Sequence, residues 1–248
     1  MGTNSNSEVG HAKNVANFQE LIGYCTAYGT AYNPSKTALQ LTSLNTLLST
    51  AKTELINVTT AKNTFDTVTG DRQVAFEPLK SLATKVYNSI SVTDATEQTL
   101  ADAKTINNKL QGKRANPTPQ FPNTDNGQPN TTNQVSVSRQ SYDSLTENFS
   151  ALLDLVSSIP SYTPNEADLN TTSLTTFRDN LQTANTNVIN AEVAYSNARI
   201  SRDNILYSKD SGLVEIAMDV KNYVKSVFGA TSPQYKQVSR IKFTSRNN

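Results

Sequence analysis

The chain has 248 residues, and its 22 Lys and Arg against 21 Asp and Glu leave a formal net charge of +1, so bulk electrostatics select neither nucleic acid nor a membrane surface. Charged residues make up only 17% of the chain, below the roughly 25% of ordinary soluble domains, and Thr, Asn and Ser take their place. A single cysteine and a single histidine exclude an intramolecular disulfide, a cysteine-based metal cluster and a multi-histidine zinc site.

The first residues, MGTNSNSEVGHAKN, contain no apolar stretch of the kind a secretory signal needs. Residues 1–10 read as a flexible polar terminus, with His11 at its frayed edge. No apolar run approaches the ~18 residues of a membrane span. Cytoplasm is therefore the default compartment, and export without a classical signal stays open.

The first apolar stripe, Val15, Phe18, Ile22 and Cys25, has helical spacing. Cys25 lies on it, so its thiol is expected to pack as a small hydrophobe rather than react. Tyr24, Tyr28 and Tyr32 follow at intervals of four. They share one face if that helix runs through, either sealing the core or forming an adaptable contact surface.

From Leu41 the apolar steps alternate three and four: Leu44, Leu48, Ala51, Leu55, Val58, then Phe65. This places them on one stripe of a long helix, predicted over 35–77 and entered just after Pro34, since proline suits a first turn. Gly70 is read as interior to it. Leu79, Leu82, Val86 and Ile90 predict a second helix, and Leu100, Ala103 and Ile106 a third. Asp94 and Glu97 fall where capping and dipole stabilisation of that third helix are expected.

The segment QGKRANPTPQFPNTDNGQPNTTNQ, from Gln111, is rich in Pro, Asn and Gly and has little to bury. It predicts an exposed connection, with Phe121 as the candidate anchor to a groove or a neighbouring chain.

Beyond it the pattern returns. YNPSKTALQLTSLNTL from Tyr32 matches YTPNEADLNTTSLTTF from Tyr162, and the register continues through Val58/Val188, Phe65/Tyr195 and Arg72/Arg202. Asn17-Phe18 matches Asn148-Phe149. The extra residues SKDSG, from Ser208, shift the phase before the last two helices. Two tandem segments of roughly 95 residues thus account for most of the chain, the signature of one structural unit used twice. The second long helix is predicted over 165–207.

The expected architecture is all-α: an elongated helical bundle of two pseudo-equivalent four-helix repeats, each with one long helix of about 64 Å. Its divisions are 1–10, 11–113 (first repeat), 114–136 (connection) and 137–248 (second repeat), and the two long helices are expected to pack together.

The sequence holds little that does chemistry. Its glycines are scattered, without a phosphate-cradling cluster. The carboxylate pair Glu215 and Asp219 reads as a solvated helix face. The basic residues Lys221, Lys225, Lys236, Arg240, Lys242 and Arg246 read as cations near helix C-termini rather than as a nucleic-acid surface, because no aromatic stacking pattern accompanies them and the net charge is near zero.

The strings NPSKTALQLTSLNTLL, NKLQGKRA and YVKSVFGATSPQYKQVSRIKFT resemble an uncharacterised family of all-helical, internally duplicated proteins of flavobacteria and their relatives. The resemblance implies a helical fold and a bacterial source. It brings no catalytic or binding residue onto positions here.

The expected function is non-enzymatic: a structural subunit, without cofactor or metal, that self-associates into a filament, lattice or homo-oligomer. The alternative is a helical module that binds a protein, peptide or glycan partner, with Tyr24, Tyr28, Tyr32 and Phe121 as candidate contacts.

Overall fold

The computed structural model describes residues 8–113 and 140–245. These form eight α-helices and no strand. In chain order they are α1 (Glu8–Ala27), α2 (Leu41–Phe76), α3 (Leu79–Ile90), α4 (Glu97–Gln111), α5 (Tyr142–Ser157), α6 (Thr171–Tyr207), α7 (Leu213–Phe228) and α8 (Pro233–Ser239). The all-α class predicted from apolar spacing holds. Helix α1 already begins at Glu8, so the last residues of the expected flexible terminus are helical.

The long helices are uninterrupted through Gly70 and Ser201, as predicted, but start later than expected, at Leu41 and Thr171. Pro34 and Pro164 do not open them. Each proline sits in a short irregular loop that a tyrosine ties off. The Tyr32 hydroxyl donates to the Leu39 carbonyl at 2.7 Å, and the Tyr162 hydroxyl donates to the Leu169 carbonyl at 2.9 Å. Both tyrosines and both leucines are buried. The bond spans seven residues and closes the loop just before the helix begins. Tyr32→Phe and Tyr162→Phe each lose one buried hydrogen bond and leave a carbonyl unsatisfied, an expected cost of about 1–3 kcal/mol. Urea denaturation checks this, and the two losses should agree within a factor of two.

Helix ends follow local chemistry. Thr96, Ser141 and Ser232 each accept a backbone N–H three residues on, capping α4, α5 and α8. Thr96, not Asp94, is the cap of α4, while Glu97 lies in its first turn. The extra residues from Ser208 build the turn between α6 and α7. A Cβ on Gly212 would meet the Ser208 backbone at 2.6 Å, so only glycine fits there.

The described residues pack as two compact units. The first takes α1, α2 as far as Asp66, α6 from Ala191, and then α7 and α8. The second takes α2 from Thr67, then α3, α4, α5, and α6 as far as Asn190. These units do not follow the division at 113 and 137 expected from the sequence match. In the first unit α1 packs on α7 and α8; in the second α5 packs on α3 and α4. The helix that opens one matched segment thus covers the helices that close the other. Apolar spacing specifies that each helix has a buried face, not which partner buries it.

Each unit has its own core. The first is built on Phe18, Leu21, Leu44, Leu206, Leu213 and Val220, and the second on Leu79, Ile90, Leu110, Phe149, Leu152 and Leu181. The long helices meet within both. In the first, the Phe65 and Tyr195 rings stack with centroids 6.4 Å apart. In the second, Arg72 lies over the Tyr142 ring at 4.0 Å and donates to Asn185 at 3.1 Å.

Candidate functional site

Helix α1 ends at Ala27, so the three candidate tyrosines do not stand on one continuous helix. They still point to one side, and that side is covered. Tyr24 accepts a hydrogen bond from Arg240 at 2.5 Å. Tyr28 donates to the Gln234 carbonyl at 3.0 Å, and its ring packs against Phe228. Tyr32 is buried, edge-on to Tyr223. Together they seal α1 against α7 and α8, leaving Tyr24 and Tyr28 half-buried. Phe121 and most of the connection lie outside the described residues.

Cys25 is fully buried, and burial pushes its thiol up to about 12. The same cause raises Tyr28 to about 12 and lifts Tyr32 and Tyr162 above the usual phenol range. These are the marks of packing groups held in their neutral forms.

His11 corrects the expectation of a frayed edge. It is buried in α1, with Nδ1 2.7 Å from the Tyr207 hydroxyl. Asn14, one turn on and also buried, reaches the same hydroxyl at 3.3 Å. Apolar spacing carries no sign of this pair, because its partner is almost two hundred positions away.

Asp219 is not simply solvated, since it forms an exposed ion pair with Lys36 at 2.6 Å. Lys109, Lys225 and Lys236 do sit in the last turns of α4, α7 and α8, as the dipole favours. Lys221 departs from that pattern. It is buried, donates to the Ile241 carbonyl, and holds its ammonium 5.1 Å from the Phe243 ring. Loss of water shifts it below the usual lysine range.

Lys221 belongs to the most specific polar arrangement in the first unit. After α8 the chain runs without helix or strand across α1 and α7. Asn14 reads its backbone twice, donating to the Thr244 carbonyl at 2.9 Å and accepting from the Thr244 N–H at 3.0 Å. Asn17 donates to the Lys242 carbonyl at 2.7 Å. Ile241 is buried and Phe243 half-buried against the core, while Lys242 and Thr244 face out. Four main-chain bonds and two alternating apolar side chains hold the segment as a bound peptide would be held.

Elsewhere, α5 and α6 form an open groove lined by Asp143, Glu147, Asp154, Arg178, Gln182 and Thr186. Asn185 donates to Asp143 along its wall. Helix α6 also carries exposed apolar side chains: Ile189, Val193 and Ile200 are 54%, 54% and 57% exposed. Among the described residues, no three His, Cys, Asp or Glu side chains converge as metal ligands would, and no helix is long and apolar enough to cross a membrane.

Comparison with protein-family models, curated proteins and solved structures finds no match to this chain.

Proposed function

We propose that the chain is a non-enzymatic structural subunit that self-associates into a filament, lattice or other homo-oligomer. The observation that carries this reading is the second apolar stripe of α6. At 100° per residue, Ile189, Val193 and Ile200 share one face, roughly 120° from the inner stripe of Leu181, Val188 and Leu206. Three branched aliphatic residues in steps of four and seven, all more than half exposed, form a seam suited to a second helix. The weakly charged Asn, Thr and Ser surface offers little like-charge repulsion against close contact.

The matched halves fit this reading as a tandem duplication. Tyr32 and Tyr162 close equivalent loops, Phe18 and Phe149 fill equivalent core positions, and α2 and α6 have 36 and 37 residues. Two related units on one chain provide two related surfaces, and a contact between unlike surfaces propagates when it does not close.

The test is sedimentation velocity with negative-stain imaging, over a range of concentration, on the native chain and on Val193→Glu/Ile200→Glu. The expected result is species larger than the 27.0 kDa monomer that grow with concentration. The double variant should return to monomer with unchanged helical circular dichroism. A native chain that stays monomeric throughout contradicts self-association and leaves the alternative, a helical module for a peptide, protein or glycan. Assemblies that survive the double substitution contradict the α6 seam.

A further inference from the structure

We propose that the groove between α1 and α7 is a receptor for an extended chain segment, and that Ile241–Thr244 of a second copy can occupy it in place of the chain's own. This deepens the self-association reading and rests on it.

The groove is specific for backbone. Asn14 is only 1% exposed, yet it presents both its amide N–H and its carbonyl to one residue of the segment, as a neighbouring β-strand would. Asn17 and Lys221 add two further donors to successive carbonyls, those of Lys242 and Ile241. The described bonds from Asn14, Asn17 and Lys221 to the segment all go to its main chain. What the groove demands of its occupant is an extended backbone with apolar residues at alternate positions, seated as Ile241 and Phe243 are. It also wants an occupant, because without one the Asn14 carbonyl would lose its donor and the Lys221 ammonium its acceptor inside a largely dry wall.

The chain that matches these demands is the segment itself, and every copy carries one. Its attachment is suited to exchange. Helix α8 has seven residues, and it joins α7 through Gly229, whose φ of 89° and ψ of 155° lie in a region that essentially only glycine occupies. A Cβ at Gly229 would meet nothing within 4 Å, so the joint faces open space on that side. Among the described residues the second unit shows no such segment. There α4 continues to Gln111 and buries Leu110 itself, so the end of that matched segment is part of the core. An exchanged segment of this kind links copies closed in pairs or open in a row, with the same bonds that hold it in one chain.

Photocross-linking decides this with the full chain. An unlabelled chain carrying Phe243→benzoylphenylalanine, which keeps an aromatic ring at that seat, is mixed with ¹⁵N-labelled native chain. The mixture is incubated at a concentration where assemblies form, irradiated and mapped by mass spectrometry. The expected result is cross-links from position 243 to α1 or α7, with a heavy-chain share that approaches the mixing ratio. Cross-links confined to the light chain overturn exchange; if sedimentation still shows assemblies, self-association through the α6 seam stands without it. No cross-link to α1 or α7 in a variant with native circular dichroism overturns the groove itself.

Discussion

Phe18→Ala is expected to lower the stability of the first unit by about 3–5 kcal/mol, because it removes a whole ring from a site that cannot collapse around the loss. Phe18 has no exposed surface and sits among Leu21, Leu44, Leu213 and Val220. Those neighbours come from α1, α2 and α7, three helices whose backbone positions are also set by other contacts, so relaxation into the cavity is limited. The lost stability is of the order of a small domain's total, so the variant is expected to show a separate, early unfolding transition. Urea denaturation followed by circular dichroism reads this directly. A loss below about 1 kcal/mol would mean that the packing around Phe18 is not as described.

Alkaline pH is expected to produce the second large effect. Burial raises Cys25 from an ordinary 9.0 to about 12, and Tyr28 from 10.0 to about 12. Tyr32 and Tyr162 move in the same direction for the same reason. A group that keeps its proton longer when folded favours the native state only where the unfolded chain also keeps it. The contribution is therefore fully present below pH 9, and it is lost as pH rises from there toward 12. At about 1.4 kcal/mol per pH unit, the thiol alone accounts for a loss of about 3–4 kcal/mol over that interval. The tyrosines steepen it above pH 10. The matched position in the second unit is Val156, also buried, so Cys25→Val is the natural control. It should retain the fold and show a shallower decline of stability between pH 9 and pH 10, before the phenols titrate. An identical slope in the two proteins would place the alkaline sensitivity elsewhere.

The helices were readable in the sequence because each buries one face, and a buried face writes itself as steps of three and four. Leu44, Leu48, Ala51 and Val58 are all buried, as that spacing requires. Pairing between helices leaves no such trace. Nothing in the spacing of Phe149 says that α5 will lie on α3 and α4 rather than on the helices that follow it. The starts of the long helices were misplaced for a related reason. Pro34 looks like a first-turn proline until the Tyr32 hydroxyl is seen to close the loop on Leu39. The spacing of the candidate tyrosines leaves open whether their side is covered. His11, Asn14 and Lys221 were missed as a polar lining of the first unit. Their partners, Tyr207, Thr244 and Ile241, are remote in the chain or irregular in conformation, and neither property has a period to detect. Phe121 falls outside the described residues.

Each compact unit combines parts of both matched segments. Native-state hydrogen exchange on Phe18→Ala tests this most directly. Loss of protection is expected in α1, the first part of α2, the last part of α6, α7 and α8, with α3, α4 and α5 keeping theirs. If α3 and α4 lose protection together with α1 while α7 and α8 stay protected, the folding unit is the continuous segment 11–113, and the interleaved arrangement is contradicted.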